Sequence, residues 1–499
     1  MPAIALFMWP VVSVILFHTL GREKGLIWTV VAGYLLLPES FRFDLPGLPP
    51  YGKLFAIALG AGAGYALYRH KKSWPDDPEF TPDNPFLKWL LGGLVALIFL
   101  QIFMTVQNNG SMLFFQGTRF DKVRQAVTNR DLISMFVDYF TPMVPFFLAW
   151  FWLRSPRHHR EVMRAVVIMG AIYAFLALWE MRFSPRVHIT VYGYFPHDWR
   201  QHVRGGQFRP VVFLQHGLWL AFFLLMAAFA AYALTKEAVG KAKVINLGIA
   251  LWITAVLLVS PNLGVAVLLF GFAPLMLLGR ALQVRVIWVV TLIFLTFPAL
   301  RQADLLPLDG LLNLAAKLSE ERAGSLEFRF ENEDELLARA LQKPYFGWGG
   351  WGRSRVVDER GLDVTVADGL WVIVLGERGW AGYIGYFGIL TAPLLLLARV
   401  ARRRPVPHTT TAMGLIMVMN LIYLVPNSAL SPIGWLLSGA VAGFIAWKPV
   451  EVTAPEAAGV NDGAPEGRPA TNYTRFRHDK DRGRAVPLRR PRPGQSPAE

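Results

Sequence analysis

The feature that most constrains this chain is a succession of long apolar runs, separated by short polar loops, from near the first residue to about residue 447. A bilayer's hydrocarbon core is about 30 Å thick, and about twenty apolar residues in an α-helix cross it. A soluble fold can bury one or two such runs, but it would have to expose most of a dozen. The pattern predicts an all-α protein, a polytopic transmembrane helix bundle of twelve or thirteen spans. They are expected near 3–20, 24–38, 53–69, 88–106, 133–153, 162–180, 210–234, 243–259, 262–279, 284–300, 379–399, 411–425 and 430–447. The second run is short. With the first it forms either a full crossing or a hairpin, which sets the count at thirteen or twelve. The first run has the length of a signal sequence, but it lacks a basic leading region and a small-residue cleavage pattern, so it reads as a span.

Composition agrees. Hydrophobic residues make up 54% of the chain and charged residues 17%, against roughly a quarter charged in soluble proteins. There is no cysteine, which excludes disulfides, thiolate metal sites and a cysteine nucleophile. The formal charge is +15. In a membrane protein such an excess belongs to cytoplasmic loops. Basic clusters follow the third span (Arg69, Lys71, Lys72), the fifth (Arg154, Arg157, Arg160), the seventh (Lys236, Lys241, Lys243), the ninth (Arg280, Arg285) and the eleventh (Arg402, Arg403, Arg404). All five fall on one side when spans alternate, and that side is expected to be the cytoplasm.

The expected organisation is a bundle over 1–300, a large outer-face loop over 301–379, C-terminal spans over 380–447 and a tail over 448–499. The tail is rich in Pro, Gly, Ala and Arg and has almost no large apolar residues, so it is expected to be disordered and cytoplasmic. Its basic stretch, 475–492, suits anionic membrane lipid better than nucleic acid.

Three outer segments exceed tight turns: 107–130, 181–209 and 301–379. The third carries Leu326, Phe330, Leu337 and Leu341 at near-helical spacing, which predicts an amphipathic helix ended by Pro344. Arg322 and Arg329 share one face of it. Arg329 and Glu333 have the spacing of an ordinary surface ion pair. Next come Pro344-Tyr345-Phe346-Gly347-Trp348-Gly349-Gly350-Trp351-Gly352, then Asp368-Gly369-Leu370-Trp371 and Glu377-Arg378-Gly379. Trp348 and Trp351 suit either an interfacial aromatic belt or stacking on sugar rings. Asp368 reads equally as a functional acid or a helix cap. Glu377 and Arg378 have the placing of a pair at the head of a helix. The second segment ends in Arg209-Pro210, with His216 just beyond. Such ionisable residues at a span's mouth are functional candidates, or else an interfacial arginine and a helix-bonding histidine. His188, His197 and His202 are further bases in the same segment.

In combination these features resemble the O-antigen ligase and O-antigen polymerase superfamily of bacterial envelope proteins. The resemblance covers roughly residues 1–447. It rests on Gln207-Phe208-Arg209-Pro210-Val211-Val212-Phe213, on the Ser260-Pro261-Asn262-Leu263-Gly264 break, and on the order Arg329, Pro344-x-x-Gly347-x-Gly349, Asp368, Glu377-x-Gly379-x-x-Gly382. It implies glycosyl transfer without a metal or other cofactor, on the outer face of the inner membrane. The implied donor is a glycan on undecaprenyl diphosphate, and the acceptor is a lipid or a second glycan. A chain-length regulator is a further implied partner, and nucleic acid is not one. Arg209, Arg322 and Arg329 are the implied diphosphate clamp, Asp368 and His216 the implied catalytic groups, and Trp348 and Trp351 the implied glycan contacts. Two departures matter. Ligases carry a histidine where Asp368 stands, and an arginine often follows the serine of the middle break, where this chain has Asn262 and Leu263.

Two other classes compete. A metal-dependent polyprenyl-phosphate-sugar transferase needs an early acidic pair, for which only Glu39 and Asp44 are available. A transporter or flippase of lipid-linked oligosaccharide or small anions needs ionisable groups near mid-membrane, and the span centres are almost free of charge.

Overall fold

The structure, a computed structural model, describes residues 1–450 except 45–48, 116–121, 205 and 359–361. It also describes the strand pair Arg477–His478 and Ala485–Val486. Otherwise the tail, and with it the expectation of disorder, lies outside the described residues.

Seventeen α-helices are found among the described residues. The first eight are α1 (Pro2–Leu20), α2 (Arg22–Leu36), α3 (Lys53–Tyr68), α4 (Pro85–Asn108), α5 (Asp131–Phe140), α6 (Val144–Trp152), α7 (Pro156–Phe183) and α8 (Val187–Tyr192). Then follow α9 (Gly217–Glu237), α10 (Gly240–Val259), α11 (Leu263–Leu277), α12 (Arg280–Gln302), α13 (Leu308–Leu318), α14 (Glu320–Leu341), α15 (Leu370–Ala401), α16 (His408–Tyr423) and α17 (Pro432–Ala446). Seven of them, α1, α4, α7, α9, α10, α12 and α15, are long and apolar enough to cross a bilayer. The α5–α6 pair, bent by 46°, makes an eighth if it is one broken span. This is an all-α, multi-pass, membrane-embedded protein. Among the described residues, strands occur only as short antiparallel pairs, such as Phe80–Pro82 with Trp447–Pro449.

The helices differ widely in how far protein buries them. The most apolar windows of α1 and α10 are only 22% buried by protein, whereas that of α9 is 83% buried. The shorter α2, α16 and α17 are buried on nearly every side, with Leu26, Val30, Met417, Leu421, Ile433 and Val441 fully enclosed. Protein covers most of their surface, so they need neither full length nor continuous apolarity. That is how α16 tolerates the buried run Thr409-Thr410-Thr411. Small residues allow the close approaches, since apolar surface alone gives no drive between helices in lipid. A Cβ at Gly439 of α17 would lie 2.3 Å from the Phe146 carbonyl of α6.

The basic loops meet at one end of the bundle. Arg157 pairs with Asp76 at 2.9 Å, and His158 bonds Asp77. Arg160 reaches Glu237 at 4.0 Å. Arg280 donates to the Val406 carbonyl at 2.7 Å, and Arg404 to that of Trp447 at 3.1 Å.

At the other end, α15 is broken at Gly379, whose φ of 61° and ψ of −171° are not helical. The segment after α14 fills the break. Trp348 N–H donates to the Gly376 carbonyl at 2.9 Å, and Gly349 N–H to that of Glu377 at 2.8 Å. In return Trp380 N–H donates to Pro344 at 2.7 Å and Ala381 N–H to Tyr345 at 3.0 Å. A broken helix within a membrane protein is tolerated where other protein groups satisfy the freed backbone. A Cβ at Gly379 would sit 2.5 Å from the Tyr345 backbone, and one at Gly347 would sit 2.4 Å from Glu377. The Gly-rich stretch and Glu377-x-Gly379 are therefore two halves of one interlock.

Candidate functional site

Three loops converge at the end of the bundle opposite the basic clusters. Glu180, buried at the end of α7, shapes the first. One of its carboxylate oxygens accepts the N–H groups of Val211 and Val212 at 2.7 and 2.9 Å. The other accepts Val187 N–H at 2.9 Å. This fixes the turn after Arg209-Pro210, where Val212 has a φ of 54°. Arg209 is buried, and its N–H donates to the His202 carbonyl at 2.8 Å. His216 caps α9, its Nδ1 accepting Leu218 N–H at 3.0 Å.

The second element is α14. It begins earlier than the apolar spacing predicts, at Glu320. Its buried face is Asn332, Glu333, Leu336, Leu337 and Ala340. Arg301 of α12 anchors it by pairing with Asp334 at 2.8 Å. Arg329 donates to the Pro426 carbonyl in the α16–α17 loop at 2.7 Å. Its carboxylate partner is Asp368, at 3.4 Å. The surface pairing with Glu333 that the spacing predicts is not found, because Glu333 turns inward. Asp368 does not cap α15 either; Gly369 holds that position without a side-chain cap.

These loops enclose a cleft of about 300 Å³ whose lining includes Arg209, His216, Arg329, Asp368, His197 and Trp219. A narrow void of about 10 Å³, the size of one water, adjoins it beneath Arg329 and Asp368 and is lined by Glu333. Burial pushes the Glu333 carboxyl up to about 7, against the opposing pull of the Trp371 indole and the Arg301 guanidinium. A carboxyl with that affinity can take up and release a proton near neutrality. Sequence pattern treated Glu333 as a surface charge, and its place on the same helical face as Leu336, Leu337 and Ala340 was the available signal.

Four sequence candidates thus share the cleft: Arg209, His216, Arg329 and Asp368. The Arg322 side chain lies outside the described residues. The two tryptophans lie elsewhere and do not line the cleft. Trp348 is buried, its indole donating to the Arg339 carbonyl at 2.8 Å with the Arg339 guanidinium 3.5 Å over the ring. Trp351 is exposed and does not line the cleft. Arg353, fully buried, ties the same region to the first outer segment by donating to the carbonyls of Trp348, Ser111 and Gln125 at 3.1, 2.9 and 2.8 Å. Trp348 and the glycines beside it are packed against Arg339 and the α15 break.

The remaining sequence candidates have structural partners. Both His188 nitrogens are engaged, with the Tyr194 carbonyl at 2.8 Å and Glu39 N–H at 3.3 Å. Glu39 pairs with Lys53 at 2.7 Å, which takes it out of any early acidic pair. Arg378 stacks 3.8 Å over the Tyr139 ring. The Ser260 break joins α10 to α11 and does not line the cleft, with Asn262 donating to Ser260 Oγ at 2.8 Å.

His197, by contrast, lines the cleft with His216, and the buried His202 packs against both rings. Burial, reinforced by the nearby His197 and Arg209, pulls His202 below the ordinary imidazole range. Chemically, the cleft offers two guanidiniums from separate loops, a carboxylate held by one of them, and imidazole rings. No family model matches the chain, and neither a curated protein nor a solved structure does.

Proposed function

We propose that the cleft is the active site of a membrane glycosyltransferase of the O-antigen polymerase or ligase kind. It joins glycans carried on undecaprenyl diphosphate to a glycan or lipid acceptor at the outer face of the bacterial inner membrane. In this reading the chain crosses the bilayer thirteen times, with the short, protein-buried α2 as a full crossing. The basic loops and the C-terminus then face the cytoplasm, and the cleft faces outward.

One observation carries the reading: Arg209 and Arg329, from separate loops, line the same cleft, and a carboxylate is paired to the second. Guanidinium forks suit diphosphate oxygens. The acceptor hydroxyl oxygen attacks the anomeric carbon of the donor sugar. The carbon–oxygen bond to the diphosphate breaks, and the electron pair leaves with the diphosphate. The hydroxyl proton passes to Asp368, which lines the same cleft. Arg209 and Arg329 stabilise the charge that develops on the leaving group, an electrostatic contribution that is large in enzymes of this type.

The test is a strain deleted for the gene and complemented with Arg329→Ala or Arg209→Ala. Loss of polymeric or ligated glycan, at wild-type membrane levels of the protein, is the expected result. Normal glycan with Arg329→Ala overturns the reading. Whether the deletion strain accumulates single repeat units or full-length lipid-linked polymer separates polymerase from ligase.

A further inference from the structure

The loop that carries Arg209 also packs three histidines against one another. One candidate ligand atom from each of His197, His202 and His216 lies within 4.8 Å of the other two. His202 is fully buried. Its Nδ1 donates to the Asp198 carbonyl at 3.0 Å, which leaves the lone pair on Nε2. That Nε2 is buried with no hydrogen-bond partner among the described residues, and so is His197 Nδ1. Buried polar atoms without partners are rare and costly, and each calls for an explanation. Neutral imidazole is a common metal ligand, and an Nδ1–H bond to a backbone carbonyl is the usual means of orienting one.

We propose that His197, His202 and His216 bind a transition-metal ion, best suited to Zn2+, with a further position open to the cleft. His216 is the contested ligand. With Nδ1 accepting Leu218 N–H, its neutral ring carries the proton on Nε2. Coordination requires it to give up either that cap bond or that proton, and a metal–imidazole bond outweighs a single capping contact. The ion ties 197–202 to the head of α9. Because Arg209 N–H is bonded to the His202 carbonyl, the ion also sets where Arg209 enters the cleft. Its role is positional, and the inference does not depend on the glycosyl-transfer reading. A second cluster, Glu23, Asp77 and His158, has comparable spacing. Its groups already bond one another and nearby backbone, as His158 does Asp77 and Glu23 does Ser73 N–H. It serves as the control.

The experiment uses the full-length protein in detergent, without a polyhistidine tag, stripped with chelator and titrated with Zn2+ and Co2+. The expected result is one equivalent of bound Zn2+, and a Co2+ absorption spectrum free of thiolate bands, since the chain has no cysteine. His202→Ala and His197→Gln weaken binding at least tenfold, His158→Gln leaves it unchanged, and Zn2+ slows hydrogen exchange across 194–209. His202 is buried and its variant is scored only if monodisperse; the half-buried His197 provides the second variant. Absence of stoichiometric Zn2+ binding to the wild type overturns the proposal. So does undiminished binding in folded His197→Gln, or equal loss in His158→Gln.

Discussion

Arg329 and Asp368 are held 3.4 Å apart although one lies on α14 and the other precedes α15. Arg329 is also bonded to the Pro426 carbonyl, so a single guanidinium joins the long loop, the head of α15 and the α16–α17 loop. Arg329→Lys keeps the charge but has no fork with which to serve both partners and a diphosphate. The expected loss in glycan product is on the order of 100-fold, the scale of removing one transition-state donor. Asp368→Asn is expected to lose at least as much, with protein levels unchanged. Product is measured on lipid-linked donor in membranes carrying each variant.

Glu333 predicts a pH dependence of stability. Burial raises its carboxyl from 4.5 in the unfolded chain to about 7 in the folded protein. The folded state therefore holds the proton more tightly. This contribution is complete below about 4.5 and is lost as pH rises through about 7. The shift corresponds to roughly 3 kcal/mol. Glu333→Gln should flatten that part of the profile and raise thermal stability at pH 8. A wild-type melting curve that is flat from pH 5 to 8, or unaltered by the substitution, contradicts the assignment.

Glu180 does not line the cleft, yet three backbone N–H groups converge on its carboxylate. Glu180→Ala leaves them buried without an acceptor, at about 1–3 kcal/mol each. Product formation and thermal stability should fall together. Glu180→Gln, which retains one acceptor oxygen, should recover part of both.

The interlock at the α15 break predicts intolerance at two glycines. Gly347 and Gly379 both have positive φ, and a Cβ at either would lie about 2.5 Å or less from facing backbone. Alanine at either should destabilise the protein by more than about 2 kcal/mol, read as loss of monodisperse protein in detergent. Gly350, with open space around it, should accept alanine.

The tryptophans should separate. Trp348→Ala removes a buried ring with Arg339 stacked on it and is expected to cost about 3–5 kcal/mol. Trp351→Ala, at an exposed position outside the cleft, should leave both stability and product within twofold of wild type. A large fall in product for Trp351→Ala, with the protein stable, would mark it as a glycan contact.

Apolar runs about the length of a bilayer, and helical spacing in the long loop, were enough to locate nearly every long helix and α14. Both are local properties, carried by residues a few positions apart. Asp368 pairing with Arg329 rather than capping α15, and Glu333 facing inward beneath them, are not local. Each depends on α12, α15 and the α16–α17 loop packing against α14, which no spacing within α14 encodes. Trp348 likewise reads the same in sequence whether it faces a sugar or Arg339. The long apolar runs marked a membrane-embedded helical protein because water excludes them wherever they fold. Burial and the meeting of distant loops decided the rest: which helices lie inside, which short ones escape lipid, and which charged groups share a cleft.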